Sequence, residues 1–97
     1  MGEIMSTLRI LKYSLSTPND FGGGRTQITC QFNRFLDIQT QGGSVVVWIE
    51  TDSDAETKTV NLIALGTGWE FPSDAVVEYV KTVQDDHGYV WHYYVEE

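Results

Sequence analysis

Apolar and polar residues alternate along most of this chain in runs too short for helices, and clusters of Gly, Pro, Asn and Asp separate the runs. Apolar residues two apart line one face of a strand, whereas a helix needs spacings of three and four. The first run is Leu8 to Leu15, with Leu8, Ile10 and Lys12 on one parity and Leu11, Tyr13 and Leu15 on the other. Thr17-Pro18-Asn19-Asp20 and Gly22-Gly23-Gly24 break it and predict a long loop, because proline lacks a donor and glycine accepts positive φ. Thr26 to Phe32 alternates again, Ile28, Cys30 and Phe32 facing one way and Thr29 and Gln31 the other. Asn33-Arg34 reads as a tight turn into a strand over Phe35 to Gln39, and Gly42-Gly43 as the two-residue turn of a hairpin.

Val45 to Ile49 is apolar at every position, Trp48 included, which predicts a central strand covered on both faces. The acidic stretch Thr51 to Glu56 turns the chain into a strand over Thr57 to Leu65, which Gly66-Thr67-Gly68 closes. Pro72-Ser73-Asp74-Ala75 predicts one helical turn over Ser73 to Val77, with Ser73 or Asp74 near its N-cap. Glu78 to Gln84 and Tyr89 to Val95 form a last hairpin across Asp85-Asp86-His87-Gly88. In the final strand Tyr89, Trp91 and Tyr93 share one parity and His92 and Tyr94 the other, so both faces are expected to be covered, one of them by another subunit. The pattern as a whole predicts an all-β fold, a compact antiparallel sandwich or small barrel of about seven short strands with one short helical turn. Residues 8–97 form a single β domain on this reading, after a flexible N-terminal segment 1–7.

Charge narrows the partners. Fourteen acidic residues against six basic ones give a net charge of −8 in 97 residues. Such a surface repels a phosphate backbone, and Arg9, Lys12, Arg25, Arg34, Lys58 and Lys81 form no basic stripe, so duplex nucleic acid is not an expected partner. A small anionic ligand remains compatible, since net charge governs long-range steering more than one pocket. Cys30 stands alone, which leaves no internal disulfide and no thiolate-rich metal site. No run has the length of a membrane span and the start lacks the apolar core of a signal peptide, so a cytoplasmic site without a membrane partner is expected.

Candidate chemistry is sparse. Cys30 shares an apolar face with Ile28 and Phe32, the setting of a core thiol rather than a nucleophile. The acidic runs Asp52 to Glu56 and Asp85 to His87 read as solvated turns, without the glycine and distal acid of a calcium loop. His92, between Trp91 and Tyr93, is either a strand histidine satisfied by a neighbour or a functional ring, one that holds a ligand or acts as a general base. In Gly66-Thr67-Gly68-Trp69 the glycines let backbone N–H groups approach an anion, Thr67 adds a hydroxyl and Trp69 a π face; the same tripeptide is also a common strand exit. No acid–base pair has motif-like spacing, so no catalytic residue, metal or cofactor is expected.

Leu11-Lys12-Tyr13-Ser14-Leu15, Val47-Trp48-Ile49-Glu50, Ala55-Glu56-Thr57, Leu65-Gly66-Thr67-Gly68, Val80-Lys81-Thr82-Val83-Gln84 and Tyr89-Val90-Trp91-His92 follow one another in an order that resembles a family of small phage and prophage proteins of unknown function. Members are expected to carry a Pro-rich segment opening with His after the Gly-Thr-Gly turn; here Trp69-Glu70-Phe71-Pro72 stands there, so no role for such a His carries over. The resemblance implies a phage origin, the cytoplasm of an infected bacterial host and a compact β fold, and it implies no reaction. The expected function is a non-enzymatic factor that interferes with host defence by sequestering a small nucleotide immune signal in a homo-oligomer. Arg34 and Arg25 would hold phosphate, Trp69 the base, and Thr67 and His92 the remaining polar groups. The competing expectation is a structural or assembly accessory, or an inhibitor acting through protein contact.

Overall fold

The computed structural model describes residues 5–97. The expected flexible segment 1–7 falls in part on residues 1–4, outside the described residues. Thr7 and Ser53 are tied to each other: the Thr7 N–H donates to Ser53 Oγ at 2.9 Å and the Ser53 N–H to the Thr7 carbonyl at 3.0 Å.

The strands are β1 (Leu8–Leu15), β2 (Arg25–Cys30), β3 (Phe32–Gln41), β4 (Ser44–Asp52), β5 (Lys58–Gly66), β6 (Val77–Gln84) and β7 (Val90–Glu96). They form a three-stranded sheet, β1-β4-β3, and a four-stranded sheet, β2-β5-β7-β6, antiparallel at every pairing. The fold is therefore a sandwich and not a closed barrel. No helix occurs among the described residues, hence none long and apolar enough to cross a membrane.

The period-two pattern explains the core. Val45, Val47 and Ile49 of β4 face inward and meet Ile28 of β2, Val60, Leu62 and Ala64 of β5, Val83 of β6, and Trp91 and Tyr93 of β7 in one cluster. Each buried Val, Leu or Ile side chain contributes about 1.5–3 kcal/mol through burial. Val46, on the opposite face of β4, is also buried, and Trp48 is half-buried, in line with a central strand covered on both sides. Gly42 and Gly43, at φ 57° and 85°, make the β3–β4 turn, where two successive positive φ values match the twist of the paired strands.

Two expected local elements differ. Asn33-Arg34 is not a turn. β2 and β3 belong to different sheets, and the chain crosses between them at Gln31, whose carbonyl accepts from the Asp52 N–H at 3.0 Å while its amide donates to the carbonyls of Ser53 and Ala55. Asn33 is an extra residue at a bulge in β3. The expected helical turn at Ser73 to Val77 is instead a β-turn, closed by the Ala75 N–H on the Pro72 carbonyl at 3.1 Å, and the chain extends directly into β6.

β5 and β6 both run antiparallel to β7, which lies between them, so they are parallel to each other. Parallel strands need a connection that returns along the strand length. Residues 67–76 make that return and carry Phe71 onto Tyr94, on the outer side of the sheet. Along one side the sheets are joined by the Lys81–Asp37 ion pair and by the Thr40 hydroxyl, which donates to the Gln84 carbonyl at 2.6 Å.

Candidate functional site

β7 organises the outer face of the four-stranded sheet. Trp91, Tyr93 and Val95 face the core, which leaves His92 and Tyr94 pointing outward. The register places His92 between Leu65 and Thr82, and Tyr94 between Ile63 and Tyr79. Arg25 lies opposite Ile63, so it shares the Tyr94 row two strands away.

Both nitrogens of His92 are engaged. Nε2 lies 2.7 Å from Thr67 Oγ1, and Nδ1 lies 2.9 Å from Thr82 Oγ1, which is itself 2.7 Å from the Tyr79 hydroxyl. A hydroxyl can donate or accept, so the two threonines complement whichever nitrogen carries the proton. The ring's partners are neutral hydroxyls rather than an orienting carboxylate, which sets it apart from the base of a nucleophilic triad. The arrangement fixes a half-buried imidazole in place on the outer face of the sheet.

An aromatic cluster centres on Tyr94, two residues further along β7. Tyr94 meets Phe71 at 5.5 Å and Tyr79 edge-on at 5.6 Å between centroids. Tyr79 and Phe71 are 54% and 43% exposed, so part of each ring reaches solvent.

The structure separates the five sequence-predicted residues into three places. Thr67 and His92 are in hydrogen-bond contact, and Arg25 is on the same face, ion-paired to Glu96. Trp69 turns the other way. Gly66 and Trp91 oppose each other on the inner face, and the Trp69 ring packs on both, 5.8 Å from Trp91, so it caps one end of the core. Tyr89 stacks on Trp91 at 5.7 Å, and the Trp91 indole N–H donates to Asp85 at 2.9 Å. Burial disfavours the Asp85 charge, but the Trp91 indole and the N–H groups of Tyr89 and His87 outweigh it and hold the carboxyl below the usual aspartate range.

Arg34 is on β3, in the other sheet, and grips Glu50 with Nε to Oε1 at 3.2 Å and Nη2 to Oε2 at 3.3 Å. Arg34 and the Asn33 amide hold the Glu50 carboxyl below its ordinary range. Cys30 is buried on the inner face, where burial pushes its thiol up and Lys58 offsets part of the effect.

Thr82, Tyr79 and Phe71 escape a sequence reading of the site. Thr82 was recoverable, because counting back from the Asp85 to Gly88 turn sets it opposite His92. Nothing local marks Phe71, whose place depends on the path of residues 67–76 across β7.

The family whose model matches residues 6–97 is described as a domain of unknown function (DUF7352), and the chain belongs to it. No curated protein and no solved structure matches the chain.

Proposed function

We propose that this member of the family is a non-catalytic binding protein whose outer sheet face captures a small ligand of nucleotide type. The observation that carries the reading is the pair of exposed rings, Phe71 and Tyr79, packed on Tyr94, with the doubly held His92 two residues along the same strand and Arg25 in the Tyr94 row. A base would lie against the rings and bond to the remaining capacity of the Thr67 hydroxyl, which His92 holds in place, each stacked contact contributing on the order of 1–3 kcal/mol. Arg25 would take the phosphate. Its pair with Glu96 is exposed, so exchanging that carboxylate for a ligand costs about 0–1 kcal/mol.

Binding without turnover suits stoichiometric sequestration. The resemblance to phage proteins makes a host-defence nucleotide signal the ligand of choice, with the cytoplasm of the infected bacterium as the place of action. Arg34 and Trp69 have no part in this version of the site.

A thermal-shift panel of cyclic dinucleotides and cyclic ADP-ribose isomers tests it. A ligand at 100 times its dissociation constant stabilises the fold by about 2.7 kcal/mol, on the order of 10 °C or more for a domain of this size. His92→Ala and Arg25→Ala should remove the shift and Arg34→Ala should keep it. A panel that moves no midpoint refutes nucleotide capture.

A second reading, assembly through protein contact, is favoured by β1. This edge strand has eight residues in unbroken register with β4, and it exposes Leu8 and Ile10. Co-purification with virions, rather than early appearance as free protein, supports that role.

A further inference from the structure

We propose that the open end between the two sheets is a separate binding site for a small apolar monoanion, an aryl sulfonate or a medium-chain carboxylate. A groove of about 770 Å³ lies between the starts of β3, β5 and β6 and the end of β7. That volume is within the range of about 300–1,000 Å³ typical of small-molecule sites. Phe32, Phe35, Val80 and Val95 form its floor, half-buried and packed against the core, so the apolar interior comes to the surface here without a cover. Phe32 and Phe35 meet edge to face at 4.7 Å and hold each other in position.

Lys58 gives the groove its charge. It stands opposite buried Cys30, so its stem enters the inner face of the sheet, and its ammonium lies 4.7 Å from the centre of the Phe32 ring. Among the described residues no carboxylate pairs with it, whereas the other cation of the groove, Arg34, is held by Glu50. An anionic head at Lys58 with a ring or chain along Phe32, Val80 and Val95 satisfies both features. The facing wall carries Glu78 and Glu97, and among the described residues neither has a cationic partner. Those carboxylates, on a chain of net charge −8, repel polyanions and leave one negative charge as the acceptable number. The nucleotides proposed for the outer face are thereby excluded, and the two sites stand or fall separately.

The probe is 1-anilinonaphthalene-8-sulfonate, titrated by fluorescence against the folded chain with decanoate, decanol and ATP as competitors. Saturable binding is expected, displaced by decanoate, about tenfold less well by decanol, and not by ATP. Lys58→Glu should weaken binding of the probe on the order of tenfold, because the sulfonate then meets a carboxylate in place of its ammonium partner. Lys12→Glu changes the net charge equally on the outer face of the other sheet and should leave binding unchanged, as should His92→Ala. The proposal is overturned if binding does not saturate, if decanol competes as well as decanoate, or if Lys12→Glu acts as strongly as Lys58→Glu.

Discussion

The indole of Trp69 occupies the space that a side chain at Gly66 would need, because a β-carbon there would sit 2.6 Å from Trp69 Cε2. The contact is reinforced by the Trp69 N–H, which donates to the Gly66 carbonyl at 3.1 Å, and by the edge-on packing of Trp69 against Trp91. The glycine that opens the Gly-Thr-Gly turn is thus required by a ring and not by backbone conformation. Gly66→Ala is expected to expel the indole, which is already 51% exposed and free to swing outward. The loss should be about 1–3 kcal/mol. It should come with a red shift in tryptophan emission, and both effects should shrink in a Trp69→Phe background.

Thr82 is the junction of the hydroxyl–imidazole chain, while Thr67 is its end. Thr82→Val removes the partner of His92 Nδ1 and of the Tyr79 hydroxyl together, whereas Thr67→Val removes only the partner of Nε2. With about 0.5–1.5 kcal/mol for each hydrogen bond, urea denaturation should show Thr82→Val to be the more costly change. Equal losses from the two variants would mean that Tyr79 draws nothing from the chain.

Tyr93 ties the four-stranded sheet to the β1–β2 loop. Its side chain is fully buried, and its hydroxyl donates to the Ser16 carbonyl at 2.9 Å. Burial pushes the phenol up, so it remains a donor throughout the physiological pH range. Tyr93→Phe leaves that carbonyl without its partner and should cost about 1–3 kcal/mol. Amide exchange across residues 17–24 should quicken more than exchange in β4.

Acid should unfold the protein through its turns and surface pairs. Lys81 and Gln39 hold Asp37 below its ordinary value, and Arg34 and Asn33 do the same for Glu50. Burial opposes the charge at Asp20 and Asp85, but hydrogen bonds to Ser16, Thr17 and Gly22, and to Trp91, Tyr89 and His87, lower both. A carboxyl whose folded value lies below its unfolded value of about 4 stabilises fully above that value and loses the effect as pH falls through the folded one. These four groups therefore leave the melting midpoint level between about pH 7 and 5 and lower it below about pH 4. Asp85→Asn should destabilise clearly at neutral pH, and the difference from the unsubstituted chain should shrink as pH falls through the folded value of Asp85. A difference that persists in acid would assign its effect to shape rather than charge.

Strand identity was legible to the extent that it is a local property. Leu8–Leu15 coincides with β1, the Gly42-Gly43 hairpin forms, and the final hairpin turns at Asp85 to Gly88. Asn33-Arg34 misled because a polar pair between two alternating runs looks the same whether the chain reverses within a sheet or bulges after crossing to another. Ser73-Asp74 misled because its capping chemistry serves a β-turn as well as a helix start, and β6 begins too soon for helical bonds to propagate.

The alternation of side chains determined by itself that this protein is an antiparallel β fold with an apolar interior, a sandwich or a small barrel, because a strand's two faces are set by its own residues. Which strands share a sheet, how residues 67–76 cross β7, and why Thr67 turns outward to His92 while Trp69 turns inward to Gly66 were decided only in the tertiary structure. So was the dispersal of Arg25 and Arg34 to carboxylates on different sheets. Each of these depends on register between segments far apart in the chain, and a period of two residues carries no information about which distant strand will supply the neighbour.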